Sequence, residues 1–133
     1  METVEIEVDS PRRGVVDLTD AVMSFCRDRG DGLLTVFAPH ATAGVGLMEL
    51  GSGSEADLVD ALDRVLPRSE RYRHQHGSPG HGADHLLPLV VSPSIVVPVL
   101  RGRPALGTWQ SVVMVDLNAD NRRRRARLSF IAG

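Results

Sequence analysis

The stretch TWQSVVMVD, residues 108–116, is dominated by β-branched and apolar side chains and reads as the strongest strand in the chain. A turn at Asn118 to Asn121 follows. A last strand then runs from Arg124 to Ile131, in which Ala126, Leu128 and Phe130 alternate with Arg125, Arg127 and Ser129, so that Arg125 and Arg127 share one face. The alternation of TVEIEV, residues 3–8, marks a strand with one buried face, and GLLTVF at 32–37 marks a buried one. Val45 to Glu49 and Ser94 to Leu100 add two more, with Pro98 placing the latter at an edge or bulge and Arg101 to Pro104 forming a hairpin turn.

Helices are fewer. Asp17 caps a stripe of Leu18, Ala21, Val22, Phe25 and Cys26 that ends at Gly30. A second helix runs from about Glu55 to Leu66, with Ser54 as its cap and Pro67 as its stop. The glycine-rich GSGS before it lacks a Walker lysine or a GxGxxG fingerprint, so it reads as a flexible start rather than an anion cradle. His81 to Val90 forms a short helix with Pro88 in its first turns. These parts sum to one α+β domain spanning residues 1–133, a mixed but mainly antiparallel sheet with helices packed against it.

Composition narrows the function. With 133 residues the chain has the length of one domain. A net charge of −2 and only 4% aromatic residues argue against nucleic acid as a partner. No lysine is present, which removes Schiff-base chemistry, while the arginines keep bidentate phosphate binding open. Cys26 is the single cysteine and sits on an apolar helical stripe, so it reads as packing in a reduced, cytoplasmic protein. The longest apolar stretches are broken by Pro88, Pro93 and Pro98, which argues against a membrane span.

The chemistry concentrates in YRHQHGSPGHGADHL, residues 72–86, which holds four of the five histidines. The fifth, His40, lies in the loop PHATAG. We expect these two loops to meet and His40, His74 and His85 to converge on one pocket as a divalent-metal or proton-transfer centre, with Glu49 as an added carboxylate or base. His76 and His81 are not assigned to that centre, although His81 and His85 would share one face of a helix. The run RRRRAR has two parts in this reading: Arg122 to Arg124 form a solvated strand edge, and Arg125 and Arg127 are candidates for gripping a phosphate.

HATAG with Glu49 downstream, Tyr72-Arg73-His74, Asp84-His85-Leu86, the VVPV strand and LGTWQ followed by Asp116 together resemble the YjbQ-like family, also described as secondary thiamine-phosphate synthases. The match runs from about residue 30 to the end. It departs at Met48 and Leu50, where asparagines commonly flank the glutamate, and at GSGS. The resemblance implies an α+β fold with a mixed sheet, a homotrimer, and a pocket near the subunit boundary. It also implies weak thiamine-phosphate synthase activity, joining hydroxymethylpyrimidine pyrophosphate to thiazole phosphate with release of pyrophosphate.

On this combined reading the catalytic candidates are His40, Glu49, His85 and Gln110. The substrate-binding candidates are Thr42, Trp109, Asp116, Arg125 and Arg127, and the metal candidates are His40, His74 and His85. Imidazole ligands suit zinc or another transition metal, whereas pyrophosphate chemistry favours magnesium. The expected partner is a small phosphorylated metabolite. The alternatives are a metal-dependent hydrolase and a non-catalytic trimer that binds a metal or metabolite.

Overall fold

The computed structural model describes residues 1–69 and 72–133. Its elements are β1 (Glu2–Asp9), β2 (Gly14–Asp17), α1 (Thr19–Cys26), β3 (Gly32–Phe37), β4 (Ala43–Met48), α2 (Ser54–Val65), α3 (His81–Asp84), α4 (Leu87–Val90), β5 (Ser94–Leu100), β6 (Arg103–Pro104), β7 (Ser111–Asp116) and β8 (Arg123–Ala132). The α+β expectation holds. Instead of one mixed sheet, however, the strands form a five-stranded sheet in the order β1-β8-β3-β5-β6 and a three-stranded sheet in the order β2-β7-β4. Every pairing is antiparallel among the described residues.

The burial of β7 explains how the layers stack. Val112 and Met114 face the five-stranded sheet, where they join Leu34, Val36, Val97, Val99, Leu128 and Phe130. Val113 and Val115 point the other way, into a second cluster with Leu62 of α2 and Leu87 of α4. A strand buried on both faces needs apolar side chains at every position, and this is why the sequence there is almost unbroken valine and methionine. Each such side chain contributes about 1.5–3 kcal/mol through burial.

Local details refine the expected boundaries. Asp17 Oδ1 accepts from the Thr19 amide and hydroxyl at 2.9 and 2.6 Å, ahead of α1, which buries Val22 and Cys26. Burial raises the Cys26 thiol pKa, as befits a packing residue. Ser54 does not cap α2; the cap is Gly53 at φ +90°, and Glu55 Oε1 instead accepts the Gly51 amide at 2.9 Å. Residues 108–110 lie before β7 rather than in it, and the expected helix over 81–90 divides into α3 and α4. Pro98 O accepts from the Ala105 amide, so the missing proline donor faces the side of the two-residue β6 and costs no bond to β3.

The arginine run changes most. β8 lies between β1 and β3, not at an edge, and Arg124 is 7% exposed. Arg124 shares the inward parity of Ala126, Leu128 and Phe130, so its charge enters the interior and must be paired there.

Candidate functional site

The turn between β7 and β8 links the two sheets and carries Asn118 and Asp120 to the histidine segment. Glycines make that segment compact. A Cβ on Gly82 would lie 2.6 Å from Tyr72 Cβ and 2.8 Å from the His74 carbonyl oxygen. One on Gly77, already at φ +73°, would lie 2.9 Å from His81 Nδ1. The chain can therefore fold back on itself, and it lines a depression of about 380 Å³ with Tyr72, His74, His76 and His81 among its walls.

Four imidazoles, those of His74, His76, His81 and His85, form a distorted square, and the first three of them line this depression. Successive ring centroids are 4.2 Å (74–76), 4.4 Å (76–81), 4.4 Å (81–85) and 4.4 Å (85–74) apart, and the diagonals are 5.8 and 5.6 Å. One potential ligand atom from each ring lies within 4.8 Å of the others, and the Nε2 atoms of His81 and His85 approach to 2.7 Å. Two nitrogens sharing a tetrahedral ion at about 2.0–2.1 Å stand about 3.3 Å apart. The observed spread brackets that value, and an all-imidazole donor set suits zinc or another transition metal better than magnesium. The residues fit such an ion.

At two of the rings the electrostatics favour the neutral form. Burial, followed by the charges of the neighbouring imidazoles, lowers the pKa of His85, and the same causes lower that of His76. Neutral imidazole is the form that binds metal. Asp120 Oδ2 stands 3.2 Å from His81 Nδ1, and hydrogen bonds from Ser78, ahead of those from Asn118 and His81, hold its carboxyl below the usual carboxylate range.

His40 does not join the square. Its Nε2 lies 2.8 Å from the Arg125 amide nitrogen and 3.2 Å from the Arg125 carbonyl oxygen. The shorter contact requires a lone pair on Nε2, which agrees with a pKa lowered by burial and then by the Arg124 guanidinium. One of the two ring nitrogens of this expected metal ligand is thus occupied by backbone. Beside it lies a buried polar cluster: Arg124 Nε donates to Asp116 Oδ2 at 2.6 Å, and Arg124 Nη2 donates to Thr42 Oγ1 at 3.1 Å. Asp116 Oδ1 accepts the Asn118 amide at 3.0 Å, and Asn118 Nδ2 reaches Asp84 Oδ2 at 3.0 Å and His81 Nδ1 at 3.0 Å. Arg68 pairs with the buried Asp84. A continuous polar network therefore runs from the cluster beside His40 to the square.

The remaining candidates are dispersed. Glu49 is exposed beyond the end of β4. Trp109 is 72% exposed, and Gln110 Oε1 accepts the Gly107 amide at 2.8 Å. Arg125 and Arg127 each pair with Glu5 of β1 at 3.0 Å, so their charges are already met within the sheet. Sequence reasoning missed Asn118, Asp120, Arg124 and Arg68, and left His76 and His81 out. The signals for the latter pair were the H-x-H spacing of His74 and His76 and the H-x3-H spacing of His81 and His85.

Comparison with known proteins agrees with this architecture. Residues 3–133 match the family model described as UPF0047 protein YjbQ-like. A UPF0047 protein of Mycobacterium tuberculosis is 63% identical over 133 residues, covering 100% of both chains. One from Archaeoglobus fulgidus is 32% identical over 110 residues, covering 83% of this chain and 86% of its own. Among solved structures, a hypothetical protein of Aeropyrum pernix K1 superposes with a TM-score of 0.89 at 31% identity over 100% of both chains. A YbjQ-like protein of unknown function from Sulfolobus solfataricus P2 has the same fold, with a TM-score of 0.92 at 23% identity over 99% of this chain and 97% of its own. Both the family model, over nearly the whole chain, and the 63% identical relative lead to one conclusion: this chain belongs to the YjbQ-like UPF0047 family.

Proposed function

We propose that the chain is a metal-dependent enzyme acting on a small phosphorylated metabolite, with His74, His76, His81 and His85 as its divalent-metal site. The observation that carries this reading is the square of imidazoles, whose donor atoms lie within 4.8 Å of one another beside an open depression lined by three of the rings. Burial of an apolar core would not gather them there, since His74 and His76 are exposed. As in the motif resemblance, we take the reaction to be of the secondary thiamine-phosphate synthase type. The thiazole nitrogen attacks the pyrimidine methylene carbon and the carbon–oxygen bond to pyrophosphate breaks. A bound divalent ion would stabilise charge on the departing oxygens. An enzyme of this kind needs an open coordination position, so three of the imidazoles would hold the ion and the fourth would yield to substrate.

The all-nitrogen donor set also favours a second reading, a hydrolase that uses zinc-bound hydroxide. Closure of the shell by all four rings would instead suit a non-catalytic binder. The resemblance further suggests a homotrimer. Its support here is the uncovered outer face of the five-stranded sheet, where Leu33, Phe37, Val96, Leu100 and Ile131 are exposed. A reduced cytoplasmic setting accords with the lone, buried Cys26. No helix among the described residues is long and apolar enough to cross a membrane.

The test is to strip the protein with chelator, reload it with zinc or magnesium, and assay thiamine phosphate formation from both precursors. Activity should require the metal and collapse in His85→Ala. Full activity in stripped protein or in that variant would remove the metal site from the mechanism. Turnover of phosphate esters without thiamine phosphate formation would select the hydrolase.

A further inference from the structure

Two side chains from the β7–β8 turn compete for the outer ring nitrogen of His81. Asn118 Nδ2 lies 3.0 Å from His81 Nδ1, and Asp120 Oδ2 lies 3.2 Å from it. They require opposite states of that nitrogen. An amide N–H needs a lone pair on Nδ1, which puts the single proton of a neutral ring on Nε2. A carboxylate needs the proton on Nδ1, which leaves the lone pair on Nε2. The choice has consequences because Nε2 is the atom that faces His85 across 2.7 Å.

The surroundings of Asn118 decide the contest. Its Oδ1 accepts the Asp120 amide at 2.9 Å, which fixes the orientation of the side chain. Its Nδ2 then has two carboxylates in reach, Asp84 Oδ2 at 3.0 Å and Asp120 Oδ2 at 3.3 Å. These two acceptors take both hydrogens of the NH2 group. No donor remains for His81, and the negatively charged oxygen of Asp120 is the partner of Nδ1. Asp120 is itself held in place, because the Ser78 amide lies 3.3 Å from Oδ2. The Gly77 backbone also closes over the pair, where a Cβ would lie 2.9 Å from His81 Nδ1 and 3.0 Å from Asp120 Oδ2.

We propose that Asp120 is a positioning residue that holds His81 in its Nδ1–H tautomer and so presents the Nε2 lone pair to a divalent transition metal. This rests on the metal reading above. Without the carboxylate, an Asn118 hydrogen turns to Nδ1, the ring proton moves to Nε2, and the inward nitrogen becomes a donor that repels a cation. Outer-shell carboxylates of this kind commonly change metal affinity by about 10–100-fold.

The experiment has two arms. Nitrogen-15 correlation spectra of the metal-free protein report the His81 tautomer directly. Nδ1–H is expected in the parent and Nε2–H in Asp120→Ala, and an unchanged tautomer overturns the proposal whatever the metal does. Zinc affinity, measured by competition with a colorimetric chelator, should fall about 10–100-fold in Asp120→Ala. The His81→Ala/Asp120→Ala double variant should bind no more weakly than His81→Ala alone. A further loss in the double variant would show that Asp120 merely braces the loop, which also overturns the proposal. Asp120→Asn keeps an acceptor oxygen without the charge and should fall between parent and alanine variant; should the alanine variant not fold, parent-like affinity in Asp120→Asn overturns the idea. Zinc binding that ignores His81→Ala would reject the metal reading itself, independently of the tautomer result.

Discussion

The cluster around Asp116 and the square around His81 are joined through Asn118, yet they handle polar groups in opposite ways. In the cluster every charge is buried and met: Asp116 is fully buried, Arg124 nearly so, and the two are linked by a 2.6 Å hydrogen bond with Thr42 beside them. In the square, rings of the same kind face one another, and the only contact between their inward nitrogens that forms a hydrogen bond is that of His81 with His85. A charge taken out of water must be paired, so the cluster is fixed by folding itself. Imidazoles near water carry no such demand, and on the metal reading proposed above a ligand is what their convergence serves.

Variants can break that contrast at several strengths. Asp116→Ala strands the Arg124 guanidinium in the interior and should cost about 3–5 kcal/mol of stability in chemical denaturation. His85→Ala should leave the metal-free protein close to parental stability, and equal losses in the two variants would erase the distinction drawn here.

A smaller effect concerns pH. His85 and His76 have folded pKa values below the unfolded value of about 6.5, so the folded state binds fewer protons than the unfolded state as pH falls through that value. Metal-free protein should therefore lose stability from about pH 6.5 downward, with no contribution from these rings above about pH 7.5. His85→Ala should flatten the acid limb in a melting series, and an unchanged limb would mean that neither burial nor the neighbouring rings hold down the His85 pKa. The smallest effect is expected on the outer sheet face. Glu5→Ala removes the partner of Arg125 and Arg127 and should change stability by less than about 1 kcal/mol, because these exposed pairs are screened by water. A larger loss would mean that this face is covered in solution.

Much of the fold could be read directly. Gly32–Phe37 and Ser94–Leu100 form strands over the expected residues, because glycine, proline and β-branched side chains mark their limits locally. β2 escaped because Gly14–Asp17 is too short to show a period. The buried Arg124 was in principle legible: continuing the two-residue alternation of Phe130, Leu128 and Ala126 one step further places it inward. The run of like residues masked that step. The site was legible only in part, since the segment was recognised but the loop that meets it was not.

The amino-acid order alone determined the limits of the strands Gly32–Phe37 and Ser94–Leu100, that β7 is a strand, and that imidazoles would be concentrated between His74 and His85. Those properties depend on side chains within a few residues of one another. Which second loop completes the site was decided only by tertiary structure. β7 and β8 belong to different sheets, and the turn between them brings Asn118 to His81 across 37 residues of sequence, whereas His40 is turned against the backbone of β8. Contacts at that separation are fixed by strand pairing and layer packing, and they leave no periodic trace in the residues that make them.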